Sequence, residues 1–153
     1  MTLYLVQHGD AVPEAADPAR PLSERGRRDV RALAELLARA GAAPLRVCHS
    51  GKLRAQQTAE IIAARVAPGA VIEAARGLDP GDDPTAAARS LAAASGDLLV
   101  VSHMPLVAKV ATLLVAGKAA PAIVAFRPGA ALALERGDDS WLIAWLVRPG
   151  LVP

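Results

Sequence analysis

Two imidazoles, a hydroxyl and a guanidinium stand where this 153-residue chain passes from short apolar runs into turns or helix-like stretches. His8 closes Leu3-Tyr4-Leu5-Val6-Gln7, Ser50 follows Leu45-Arg46-Val47-Cys48-His49, and His103 follows Leu98-Leu99-Val100-Val101-Ser102. If those runs are parallel strands of one sheet, their carboxyl ends meet in a crevice, the place where open α/β sheets bind ligands. Arg54 lies on the first turn of a helix that would start after Ser50-Gly51, and the N–H groups of a helix start suit an anion. A guanidinium can hold two phosphate oxygens at once, and a neutral imidazole is a competent covalent acceptor. Phosphoryl transfer needs little more than positioning and charge stabilisation, so the set fits that reaction.

The elements that must position these groups read as an α/β layer fold. Strand-like runs over 2–7, 45–49, 71–73 and 97–102 alternate with helix-like stretches over 22–40, 52–65 and 85–94. In the first helix Val30, Leu33, Leu36 and Leu37 share one face, and Gly41 follows as a stop. Residues 76–84 hold Gly, Asp and Pro in close succession and form the one substantial loop. Pro105 suits the first turn of a further helix after the 97–102 strand. Residues 123–126, 130–135 and 141–147 read as strands, with the last two joined through Gly137-Asp138-Asp139. The expectation is a three-layer α/β/α sandwich on a mostly parallel sheet with an antiparallel edge, one domain over 1–153. Trp141 and Trp145 would share one face of the last strand and pack into the core.

Composition narrows the class. Hydrophobic residues make up 53% of the chain, yet Gly, Pro or charge interrupts every run well short of a bilayer span, so no membrane partner is expected. Seventeen basic residues against fifteen acidic ones leave a net charge of +2, and Arg25, Arg27 and Arg28 are the only tight basic group, which argues against nucleic acid. The start, Met1-Thr2-Leu3-Tyr4-Leu5-Val6, has no basic lead and reads as a strand, so the expected compartment is the cytoplasm. The single cysteine, Cys48, sits in an apolar run and reads as core. His8, His49 and His103 lack the close pairing and carboxylate spacing of a zinc site, so neither a metal nor another cofactor is expected, and His49 reads as structural.

Three motifs in register resemble the histidine phosphatase superfamily, with SixA-like phosphohistidine phosphatases nearest in size. They are Val6-Gln7-His8-Gly9-Asp10-Ala11, Ser50-Gly51-Lys52-Leu53-Arg54-Ala55-Gln56-Gln57-Thr58-Ala59 and Val101-Ser102-His103-Met104-Pro105. Arg20-Pro21-Leu22-Ser23 with Gly26 is similar to the family's approach to its first helix. The resemblance implies that His8 is transiently phosphorylated, that Arg54 binds the transferred phosphoryl, and that His103 contacts the same group. It also implies that Gly9 permits close backbone approach and that Ser50 offers a pocket hydrogen bond. Asp10 would orient His8 or cap the following turn.

The family's first motif ordinarily reads Arg-His-Gly, and here the arginine is replaced by Gln7. A neutral amide in place of a charged donor forfeits about 1–2 kcal/mol, a tenfold or larger loss of rate. Lys52, at the helix start beside Arg54, is the candidate replacement charge; a solvated surface lysine is the alternative. Asp79, in the loop with Asp82 and Asp83, is the candidate general acid, although Asp beside Gly and Pro is also an ordinary turn former. A phosphoramidate leaving group needs less acid help than an ester. A short loop with no cap also favours a protruding phosphorylated side chain. The reading is therefore a phosphatase acting through phospho-His8, most suited to protein phosphohistidine. Two alternatives remain open: a phosphate- or phosphoprotein-binding domain weakened by Gln7, and a phosphatase for small phosphoesters.

Overall fold

Residues 1–151 are described by a computed structural model. The chain runs β1 (Thr2–Gln7), α1 (Glu24–Arg39), β2 (Arg46–His49), α2 (Leu53–Val66), β3 (Val71–Ala74), α3 (Pro84–Ala92), β4 (Leu98–Ser102), α4 (Leu106–Ala116), β5 (Ala131–Arg136) and β6 (Trp141–Val147). Strand order in the sheet is β3-β2-β4-β1-β5-β6. The first four are parallel, and β5 runs antiparallel to both β1 and β6.

The unbroken apolar runs follow from burial on both faces of the sheet, and all five residues of β4 are buried. On one face Tyr4, Val6, Val47, Leu99 and Val101 pack with Val30, Leu33 and Leu37 of α1 and with Ala59 and Ile62 of α2. On the other, Leu3, Leu5, Val100 and Leu132 pack with Leu91 of α3 and with Leu106 and Val110 of α4. This is the expected three-layer α/β/α arrangement. Because β4 lies between β2 and β1, the carboxyl ends of all three open into one crevice.

The segment that carries His8 out of β1 is pressed onto α1. Ser23 caps that helix by accepting from the Gly26 N–H, and this cap makes the helix begin at Glu24, two residues later than periodicity suggests. A β-carbon on Gly26 would fall 2.1 Å from the Asp10 carbonyl oxygen, and one on Gly9 would fall 2.7 Å from a Val30 methyl. Only glycine allows these two backbones so close.

Two sequence expectations need correction. Residues 123–126 are not a strand: β1 and β5 already have neighbours on both sides, and the segment does not pair with the outer edge of β6. The segment instead crosses the α4 side of the core, burying Val124 and Phe126, with the Ile123 N–H bonded to Thr112 Oγ1. Trp141 and Trp145 do not share a face. A register shift between Ala133 and Leu134 places Ala144 opposite neither, so Trp141 joins the α3–α4 core and Trp145 the α1–α2 core.

The Gly26–Asp10 approach makes a stability prediction. Gly26→Ala should lower the unfolding free energy by about 2–3 kcal/mol in urea denaturation. Gly81→Ala, where an added β-carbon meets nothing within 4 Å, should leave it nearly unchanged.

Candidate active site

The crevice is assembled by one hydroxyl. Thr58, fully buried on α2, accepts the Gly9 N–H at 3.0 Å and donates to the Arg54 carbonyl at 2.7 Å. One side chain thus ties the turn after β1 to the first turn of α2. Gln57 adds a second tie by accepting the Leu22 N–H at 2.8 Å. The Gly9 N–H is therefore spent on Thr58, and the close approach this glycine permits is to α1.

His8 is half-buried, with its own N–H bonded to the Ser102 carbonyl at 3.1 Å. Its Nδ1 lies 2.7 Å from the Gly9 carbonyl, and a carbonyl can only accept, so Nδ1 carries a proton. In the neutral ring Nε2 then holds the lone pair, and Arg54 Nε donates to it at 3.3 Å. Burial, chiefly, holds the His8 pKa below the ordinary imidazole value; Arg54 and Arg20 add to this, against the Gly9 bond. His8 is thus neutral, oriented and pointed at a guanidinium.

His103 is 2% exposed, and its ring centroid is 4.8 Å from that of His8. Ser50 Oγ sits 2.6 Å from His103 Nε2, while Nδ1 has no partner among the described residues. Burial, then the charges of His8, Arg54, Lys52 and Arg20, push its pKa down to about 3, so the ring is neutral at ordinary pH. Ser50 therefore acts on His103.

Gln7 is paired in register with Ser102 and is 7% exposed, with Oε1 unpartnered among the described residues. Lys52 and Asp79 meet each other: Nζ is 3.6 Å from Oδ1, with the side chains 39% and 51% exposed. The candidate replacement charge and the candidate acid are thus an ion pair at the mouth of the crevice. Ser102 Oγ holds the Asp79 loop by donating to the Leu78 carbonyl at 2.8 Å. Asp82 instead accepts the Asp79 N–H, and Asp83 caps α3, so Asp79 is the loop acid facing the crevice cations.

Several other residues settle into supporting places. Asp10 Oδ2 accepts from the Ser23 hydroxyl at 2.6 Å and the Asp10 carbonyl accepts the Ser23 N–H, which fastens the His8 turn to the start of α1. His49 accepts the Gly51 N–H through Nδ1 and so holds the turn before α2. Cys48 is buried, and burial with the neighbouring Glu73 pushes its thiol up to about 11, which makes it inert. Among the described residues no three His, Cys, Asp or Glu side chains gather as a metal site. Two contributors escaped the sequence reading. Thr58 had a usable signal, one helical turn after Arg54; Arg20, within electrostatic reach of His8, Arg54 and His103, had none beyond its motif.

Two measurements probe this geometry. Thr58→Val leaves the buried Gly9 N–H without an acceptor and should cost about 1–3 kcal/mol in chemical denaturation, with a larger proportional loss of anion binding than of stability. Both imidazoles titrate below their ordinary value of 6.5. As pH falls through that value the unfolded chain takes up protons that the folded chain refuses, so stability falls towards acid, down to about 3 for His103, and is flat above. Calorimetric melting between about pH 7 and pH 4 should show a smaller loss for His103→Gln than for the parent.

The sequence profile of the histidine phosphatase superfamily (branch 1) matches residues 3–80. Among solved structures, the protein histidine phosphatase SixA complexed with tungstate is 26% identical, covers 100% of both chains and superposes with a TM-score of 0.86. A SixA protein from Agrobacterium tumefaciens is 21% identical over 97% of each chain, with a TM-score of 0.79. A mycobacterial glucosyl-3-phosphoglycerate phosphatase with VO3 is 18% identical over 93% of this chain and 96% of that one, with a TM-score of 0.71. Among curated protein sequences none matches the chain.

Proposed function

This chain belongs to the histidine phosphatase superfamily, and we propose that it is a phosphatase that works through a phospho-His8 intermediate, with protein phosphohistidine as its substrate. The observation that carries the reading is the pair of contacts on His8: Nδ1–H bonded to the Gly9 carbonyl at 2.7 Å, and Nε2 facing Arg54 at 3.3 Å. They leave the attacking lone pair and the phosphate-binding cation at one point.

In the first step the Nε2 lone pair forms a bond to phosphorus while the bond to the leaving group breaks, its electrons departing with that group. Arg54 moves its donors from Nε2 to the phosphoryl oxygens. In the second step water attacks phosphorus, the bond to Nε2 breaks, and His8 returns as neutral imidazole with release of inorganic phosphate. Nδ1–H to Gly9 persists throughout and stabilises the positive character of the ring when it is phosphorylated.

The likeness to the tungstate-bound protein histidine phosphatase supports phosphohistidine as the substrate. Two features of the crevice agree. His8 and Arg54 are both half-exposed, which suits a side chain presented by another protein. Asp79 is paired with Lys52, and an imidazole leaving group does not need a strong acid to depart. For a small phosphoester Asp79 would have to release Lys52 and protonate the leaving oxygen.

One observation favours a second reading. Gln7 brings no charge to the pocket and leaves a buried Oε1 unpartnered, as expected of a domain that holds a phosphoprotein without turning it over. Incubation with a phosphohistidine peptide separates the two. The proposed reading expects phosphate release and an acid-labile phosphoryl group on His8, both absent in His8→Ala. Peptide binding with no His8-dependent release would establish the binding domain instead. An acid in use contributes about 10²–10⁴-fold, so Asp79→Asn should barely change phosphohistidine turnover; a loss of that size on aryl phosphate would identify a phosphoester enzyme.

A further inference from the structure

The loop from Ala11 to Leu22 holds a residue in a conformation that its type disfavours. Arg20 has φ +47°, the one non-glycine residue with positive φ among those described. Side chains that tolerate this region are chiefly asparagine and aspartate, so an arginine there is held by its surroundings. The surroundings are specific. The Arg20 N–H bonds to the Asp17 carbonyl at 3.0 Å, Val12 N–H bonds to the Pro21 carbonyl at 2.8 Å, and Ala11 and Leu22 form a β-bridge. Leu22 is in turn bonded to Gln57 on α2, the helix that carries Arg54.

The side chain is fixed by one end only. Arg20 Nε donates to the Val12 carbonyl at 3.1 Å. Its two terminal nitrogens take part in no hydrogen bond or ion pair with a described residue, whereas Lys52 has Asp79 and Arg25 has Asp10. The guanidinium nevertheless acts electrostatically on His8, Arg54 and His103 together, which places its charge at the crevice. A cation without a counter-charge, within electrostatic reach of a second arginine, is disfavoured unless an anion joins them.

We propose that Arg20 is a phosphoryl-binding residue that works beside Arg54 and supplies the cationic contact that Gln7 lacks. This rests on the phosphatase reading for its role in turnover, but not for its role in binding. The strained backbone at Arg20 then has a physical purpose: it turns the side chain inward from a loop whose neighbours Glu14, Ala15 and Ala19 face solvent.

Asparagine tolerates positive φ, so Arg20→Asn removes the charge without added backbone strain and should lower the melting temperature by no more than the loss of the one Nε–Val12 hydrogen bond. Calorimetric titration of the full chain with tungstate should show about tenfold weaker binding for Arg20→Asn, and Arg20→Lys should fall between. Arg89→Gln, on the exposed face of α3, should bind as the parent does. Adding Gln7→Arg to Arg20→Asn should restore most of the loss. Tungstate binding by Arg20→Asn equal to the parent's, or no recovery in the double variant, overturns the proposal. If the parent shows no His8-dependent turnover while Arg20→Asn still weakens tungstate binding, the phosphatase reading fails and the Arg20 site stands. If the parent turns over phosphohistidine peptide and Arg20→Asn matches it in KM, kcat and tungstate affinity, the reverse holds.

Discussion

The Thr58 hydroxyl is the contact on which the crevice depends. It accepts from the backbone of the His8 turn and donates to the backbone of the Arg54 turn, so imidazole and guanidinium are positioned by the same oxygen. Neither β1 nor α2 could fix that relation alone, because the sheet sets only the height of His8 and the helix only the direction of Arg54. Glycines complete the constraint from the opposite side. Gly9 and Gly26 let the turn after β1 lie flat against α1, so it is clamped between two helices. The Arg54 carbonyl also accepts within α2, so losing this hydroxyl would strand the buried Gly9 N–H above all, and an unpaired buried donor costs more than a typical bond contributes.

Electrostatics then define what the clamped site wants. Arg54 is partly buried, Arg20 and Lys52 lie within its surroundings, and two imidazoles sit beside them with both pKa values depressed. Neutral imidazoles spare the pocket two further positive charges, so the site accommodates its cations by refusing protons. Asp79 offsets part of the charge at the rim through Lys52. A phosphoryl dianion would offset the remainder from within. The same arrangement keeps the Nε2 lone pair of His8 free, as an attack on phosphorus would require.

What was legible in the sequence follows from which forces are local. β1, β2 and β4 could be read because a parallel strand buried on both faces must be a continuous apolar run, and their ends located His8, Ser50 and His103 without further knowledge. The helices could be read from periodicity to within two residues, the difference being set by Ser23 as a cap. Residues 123–126 differ because β-branched composition describes a surface that suits a strand but not whether the segment lies beside a strand it can pair with; here it crosses the α4 side of the core instead. The tryptophans were misassigned because a bulge reverses sidedness and leaves no mark in alternation. The pairing of Lys52 with Asp79 and the reach of Arg20 depend on two loops meeting across the sheet, and neither spacing nor composition encodes that meeting.

Gln7 is best understood through the face on which it lies. Alternation along β1 puts Gln7 with Leu3 and Leu5 on the α3–α4 side, whereas the Thr58 clamp and Arg54 come from the α1–α2 side. A phosphoryl group at His8 would therefore be approached from two sides by different elements, and a neutral Gln7 would bear on one side only. On that side the buried neighbour is His103, itself neutral and held by Ser50, so neither Gln7 nor His103 brings a positive charge. All the positive charge comes from α2 and from the loop that α2 holds through Gln57. Such a charge distribution would grip the equatorial oxygens of a phosphoryl group from a single direction and leave the opposite wall to hydrogen bonding. Arginine at position 7 would make the pocket symmetric but would bring another charge against a half-buried cation cluster; a neutral amide avoids that repulsion at the cost of about 1–2 kcal/mol of phosphoryl stabilisation.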